Sequence, residues 1–89
     1  MEFKFKKAFE HDFKKVKDKN LAKAILECVH KVSAAQTIND ISNLKKISGH
    51  KSAYRIRTGN YRIGIIIENN VAIFVAFAHR KDIYKKFPK

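Results

Sequence analysis

The stretch from residue 53 to residue 77 constrains this chain most. It holds three strand-length segments separated by two short turn signals. Residues 53–58, AYRIRT, and 61–68, YRIGIIIE, flank a turn around Thr58, Gly59 and Asn60. Glycine and asparagine tolerate the backbone of a tight connection, so the pair reads as a β-hairpin. Asn69-Asn70 supplies the next turn. Residues 71–77, VAIFVAF, are apolar at odd and even positions alike. A strand without a polar face must be covered on both sides, which places it centrally in a sheet, under helices.

The first 35 residues can provide that cover. Residues 2–6, EFKFK, alternate with Phe3 and Phe5 on one face, as in a strand that pairs later in the fold. The period changes at residues 8–17, where Ala8, Phe9, Phe13 and Val16 make a helical stripe. Asp18, Lys19 and Asn20 interrupt it. Asp18 or Asn20 can cap a second helix running to about Ala35. Its core positions are Leu21, Ile25, Cys28 and Val32, joined by Ala24 and Val29. Two adjacent amphipathic helices suggest an antiparallel helical hairpin.

Residues 36–50 have no clear period, and Ile38, Ile41, Leu44 and Ile47 read as anchors in a loop or short helical turn. Beyond His79 lies a basic tail with a helical turn from Asp82 to Phe87, which Pro88 stops. At 89 residues the chain is expected to form one domain, residues 1–89. The expected class is α+β. An N-terminal strand and a two-helix hairpin pack on a small, mostly antiparallel sheet, followed by a short C-terminal helical turn.

Charge narrows the function. Twenty Lys and Arg stand against eight Asp and Glu, a formal net charge of +12. Such an excess favours a polyanionic partner and fast electrostatic association. Nucleic acid is the foremost candidate, although an acidic protein satisfies the same charge. Residues 51–89 hold nine Lys or Arg and only two acidic groups. The first 19 residues mix seven Lys with four acidic groups, the pattern of a solvated face with weak surface pairs. The lone Cys28 excludes an internal disulfide and reads as a buried core thiol.

The start of the chain has no apolar signal region, and apolar stretches such as 71–78 are too short to cross a bilayer. A cytoplasmic protein with no membrane association is expected. Three glycines leave no glycine-rich nucleotide loop. No HExxH, paired cysteines or carboxylate cluster points to a metal. Neither metal nor cofactor is therefore expected.

The chemistry concentrates in residues 54–62, YRIRTGNYR. Arg55 and Arg57 should project from one face of a strand, with Arg62 across the turn. Arg80 follows the last strand. Guanidinium is planar, always charged and grips phosphate oxygens in pairs. Several together can hold a phosphate backbone and stabilise the extra charge on a pentacovalent phosphorus. Few carboxylates in this half are available to pair with them. Lys51, Lys81 and Lys85 join Arg55 and Arg57 as expected phosphate or RNA contacts.

Tyr84 can stack on a base, place its hydroxyl near a phosphate, or latch the tail to the sheet. Tyr54 and Tyr61 point away from the neighbouring arginines by strand alternation and read as core or edge residues. His79 adjoins Arg80, and its near-neutral pKa suits acid–base work, beside a purely structural reading. His11, His30 and His50 share no pattern. An RNA-cutting enzyme without metal can align the 2′-hydroxyl on the adjacent phosphorus, a nucleophile that DNA lacks.

These residues carry a resemblance. LKKISGHKSAYRIRTGNYRIGIIIENN, followed by IFVAFAHRKDIY, resembles the RelE/ParE superfamily of type II toxin–antitoxin systems. The closer likeness is to RelE-type toxins, which are ribosome-dependent mRNA endoribonucleases. The resemblance implies that Arg55 and Arg57 occupy the family's basic positions on the first hairpin strand. It places Arg62 on the arginine of the second strand, Arg80 on the arginine after the last strand and Tyr84 on the C-terminal site tyrosine. It also implies a cognate antitoxin that wraps the toxin in a hetero-oligomer and masks the basic site, with the ribosome and mRNA as targets.

One departure matters. Some RelE enzymes have lysines where this chain has Arg55 and Arg57, and arginine cannot act as a base. Phosphate binding is expected of these two. Proton transfer then falls to His79 or Tyr84, or to the ribosome and the RNA itself. The expected catalytic set is Arg62, Arg80, Tyr84 and His79. Two alternatives remain open: a ParE-like toxin that traps DNA gyrase, and a non-cleaving RNA- or ribosome-binding protein.

Overall fold

The structure, a computed structural model, describes residues 1–88. Nine short elements follow in order. β1 spans Glu2–Phe5, α1 Lys7–Lys14 and α2 Lys19–Ala34. A 3-10 turn, Ile38–Asp40, leads to β2, Leu44–Lys46. β3 spans Ala53–Thr58, β4 Tyr61–Glu68, β5 Val71–His79 and α3 Ile83–Lys86. The five strands form one sheet in the order β1-β5-β4-β3-β2. β1 runs parallel to β5, and every other pairing is antiparallel.

The turns behave as their residues require. Asn69 and Asn70 both take positive φ, 52° and 61°, the left-handed pair that a two-residue hairpin demands. Gly59 does the same at 58° in the β3–β4 turn. Between the helices the capping residue is Asp18, whose carboxylate accepts from the backbone N–H of Asn20 at 2.9 Å and of Leu21 at 3.2 Å. α1 ends at Lys14, three residues short of its expected limit, because Lys15 and Val16 close it with shorter-range bonds to Asp12 and Phe13.

The main core lies between the sheet and the α1–α2 hairpin. Ile25, Cys28, Val29 and Val32 of α2 meet Ile56, Ile63, Ile65, Ile67 and Phe74. Phe9 of α1 packs on Phe5, Phe74 and Phe77 with ring centroids 5.3–5.7 Å apart. Cys28 is buried as expected, and burial pushes its thiol pKa up, against a hydrogen bond with Thr58. A smaller cluster on the other face joins Ile83 and Phe87 to Ala53, Ala76 and Ala78. β5 is therefore covered on both sides, as its two apolar faces demand.

Two features lay outside the sequence reading. Residues 44–46, expected in a loop or helical turn, add a strand beside β3, pairing Leu44 with Ile56 and Lys46 with Tyr54. The β4–β5 register also shifts, so that Gly64 faces Ala76 while Ile65 faces Phe74. Val75 is the extra residue, and past this bulge β5 presents the opposite parity to each face.

Candidate functional site

The sheet face opposite α1 and α2 collects the cations. Arg57 sits directly across from Arg62, Arg55 across from Gly64, and Lys45 across from Arg55. Directly opposed residues share a face, so these side chains crowd one surface. Like charges opposed in this way are destabilising, a cost that a bound polyanion relieves.

The hairpin turn holds the centre of the group. Arg62 Nη1 donates to the carbonyl oxygens of Gly59 and Tyr61, both at 3.0 Å. The Arg80 N–H donates to the Asn60 carbonyl at 2.7 Å, which ties the end of β5 to the same turn. Partial burial lowers the Arg62 pKa below its ordinary value. Arg55, Arg57 and Arg80 lower it further, and the Tyr84 phenol opposes them. The other four side chains are thus within electrostatic reach of Arg62, with no carboxylate among the groups acting on it. Among the described residues none of the four arginines forms an ion pair.

Tyr84 arrives through α3. Ile83 and Phe87 are buried on the arginine face, while Tyr84 between them remains 59% exposed. The docking depends on Gly64. A Cβ there would lie 2.6 Å from Phe87 Cγ and 3.0 Å from its Cε2, so only glycine lets the ring rest on the strand. Tyr84 therefore reaches the arginines because a side chain is missing from the middle of β4.

The expected site residues divide accordingly. Arg55, Arg57, Arg62, Arg80 and Tyr84 come together. Lys81 and Lys85 lie exposed beside them, and Lys85 makes a 3.6 Å pair with Asp82. Lys51 stands apart, in the loop before β3, near Ser52 and Phe87. His79 is turned away: it pairs with Tyr61 on the α2 side of the sheet, their rings edge-on at 5.8 Å. Its Nδ1 accepts the Lys81 N–H at 3.2 Å. The physical reason is the Val75 bulge, which reverses the facing of the last residues of β5. Lys45 is a cation the sequence reading missed, because β2 was not recognised as a strand. Its one signal was Leu44-Lys45-Lys46 preceding the hairpin. Among the described residues no three His, Cys, Asp or Glu side chains cluster to hold a metal, and no helix is long and apolar enough to cross a membrane.

The fold and sequence have known counterparts. The family model for the ParE toxin of the type II toxin-antitoxin system, parDE, matches residues 3–84. Toxin RelE3 of Methanocaldococcus jannaschii is 39% identical over 89 residues, covering 99% of this chain and 100% of that protein. The toxin–antitoxin complex RelB-RelE from Methanococcus jannaschii, a crystal structure, matches with a TM-score of 0.76 at 38% identity. That match covers 94% of this chain and 98% of the other. The archaeal RelE-RelB complex from Pyrococcus horikoshii OT3 shares the fold, with a TM-score of 0.71 at 18% identity over 89% of this chain and 93% of the other. The chain belongs to the RelE/ParE superfamily of type II toxin–antitoxin toxins. Within that superfamily it is a toxin of the RelE type.

Proposed function

We propose that this toxin is a metal-independent, ribosome-dependent mRNA endoribonuclease of the cytoplasm, held inactive by a cognate antitoxin. The observation that carries the reading is the convergence of Arg55, Arg57, Arg80 and Tyr84 around Arg62 at one sheet face, where none of these arginines is ion-paired among the described residues. Arg55 and Arg57 grip the RNA backbone. Arg62 and Arg80, fixed to the β3–β4 turn, stabilise the charge that develops as the 2′-hydroxyl attacks the adjacent phosphorus. The new bond joins the 2′-oxygen to phosphorus, and the bond to the 5′-oxygen of the next nucleotide breaks. The products are a 2′,3′-cyclic phosphate and a free 5′-hydroxyl. Tyr84 is the protein's candidate to give a proton to the leaving 5′-oxygen, the proton of the attacking 2′-hydroxyl passes to a group of the ribosome or of the RNA itself, and the ribosome aligns the strand. His79 faces the other side of the sheet and has no part in this step.

An antitoxin suits the same surface. A chain of charge +12 with an uncovered arginine face favours an acidic partner, and two of its structural counterparts are complexes with RelB. The chemistry is tested by giving ribosomes an mRNA with one 2′-deoxynucleotide at the scissile position. Cleavage should stop at that position alone. Continued cutting there would exclude 2′-hydroxyl attack.

The ParE description of the matching family keeps gyrase trapping as a second reading. The 39% identity to a RelE toxin across 99% of this chain favours the first.

A further inference from the structure

The arginine face continues past Phe87. Along β4, Arg62, Gly64, Ile66 and Glu68 alternate to one side, and on β3 Arg57, Arg55 and Ala53 oppose the first three. Successive rungs are two residues apart, about 7 Å in a strand. Phe87 rests on the middle rung and divides this surface. On the side away from Arg62 opens a groove of about 370 Å³, within the usual range of ligand sites.

The groove has an apolar floor of Ala53, Ile66 and Val75, walled by Phe87. Its rim carries Lys51, Ser52 and Glu68. Lys86 also borders it, but its ammonium pairs with Asp12 at 3.6 Å. The Ser52 hydroxyl donates to Glu68 Oε2 at 3.0 Å, which orients the exposed carboxylate and leaves Oε1 to accept. An apolar floor suits the face of a base, a lysine suits its phosphate, and an oriented carboxylate accepts from an amino group. Cytosine and adenine carry such a group where uracil presents a carbonyl, and guanine carries its amino group on the opposite edge.

We propose that this groove is a second nucleotide subsite, in which Lys51 holds phosphate and Glu68 selects an amino-bearing base over uracil. The proposal rests on the RNA reading above and deepens it. A strand gripped at Arg57 and Arg62 has to pass around Phe87 and presents to Glu68 a nucleotide three rungs away, about 20 Å along β4 and roughly three nucleotides from the gripped phosphate. The subsite gives Lys51 a place in RNA recognition although it is remote from the arginines, and makes binding depend on a base a few nucleotides from the scissile bond.

The test needs no cleavage. The full chain, labelled with nitrogen-15, is titrated by NMR with cytidine, adenosine, guanosine and uridine monophosphates in turn. Cytidine monophosphate should shift the Ser52, Ile66 and Glu68 amides and bind about tenfold more tightly than uridine monophosphate. Glu68→Gln, whose amide can also donate, should bring that ratio close to one. Ser52→Ala, which frees the carboxylate to rotate, should lower it. Lys51→Ala should weaken all four nucleotides by a common factor and leave the ratio unchanged. Equal affinities, shifts confined to the arginine end, or a ratio untouched by both Glu68→Gln and Ser52→Ala would overturn the subsite, even if ribosomal mRNA is still cut. Selective binding by a protein that never cuts mRNA would uphold the subsite and remove the endonuclease reading.

Discussion

Replacing Gly64 with alanine should loosen α3 and lower activity while leaving the sheet intact. The added methyl would stand 2.6 Å from Phe87 Cγ, far inside van der Waals contact. Gly64 is bonded on both sides, opposite Arg55 and Ala76, so the backbone has little room to yield. The ring must move. Overpacking of this kind costs about 1–3 kcal/mol. Removing a glycine from a strand interior returns roughly 0.5–1 kcal/mol. The net effect, about 1–2 kcal/mol, is a factor of roughly 5–30 in a two-state equilibrium. If it falls on the docking of α3, the ratio of undocked to docked α3 rises by that factor, and cleavage drops by up to the same factor as Tyr84 leaves the arginines. The assay is a double-mutant cycle in urea, with mRNA cleavage measured on the same proteins. Phe87→Leu should make room for the methyl, giving a coupling of about 1 kcal/mol between the two positions. Wild-type stability and activity in Gly64→Ala, or strict additivity with Phe87→Leu, would refute the claim that Gly64 places α3.

Other expectations follow from the same structure. Tyr84→Phe should leave the melting temperature unchanged, since the side chain is 59% exposed, and reduce cleavage about 10²–10⁴-fold if the hydroxyl transfers a proton. His79→Gln, on the other face of the sheet, should leave cleavage within about twofold in the same assay. Arg62→Lys should make activity fall with rising pH, because a lysine amid Arg55, Arg57 and Arg80 loses its proton below its usual value of about 10.4. The folded protein would hold that proton less tightly than the unfolded chain. Its repulsion therefore costs stability at low pH and is relieved as pH rises, which urea midpoints at several pH values would show. Cys28 has the opposite sign: its pKa is raised above 9.0 by burial. Its contribution is intact below the unfolded thiol's value and lost as pH rises through the folded one. Cys28→Ala should flatten that alkaline loss, and a thiol reagent should label native Cys28 only on unfolding.

Much of the fold was legible because its signals are local. The limits of β3 and β4 coincide with the alternating runs, since Gly59-Asn60 and Asn69-Asn70 leave the chain few other turns. The two helices follow from their apolar stripes and from Asp18. The parallel partner of β1 was not legible, because its alternation shows a strand without showing its neighbour. β2 has only three residues and too little pattern to register. Its strand character comes from bonding to β3, so Lys45 was missed with it.

The candidate site was legible where it depends on alternation and turns. Arg55, Arg57 and Arg62 share a face because the β3–β4 pairing has no irregularity. His79 differs because of Val75. By strict alternation from Phe74 it would share the arginine face. The bulge sends Phe77 into the helix-side core and carries His79 with it. No residue type around position 75 announces that shift. Gly64 was also silent, since its meaning lies in Phe87, distant in sequence but packed over it.

Primer extension on a defined mRNA, in a purified translation system with and without ribosomes, tests the central claim most directly. Cuts within codons that need ribosomes and vanish in a folded Arg62→Ala protein are the predicted result. Intact mRNA from the folded wild-type toxin, or undiminished cutting by Arg62→Ala, would contradict it.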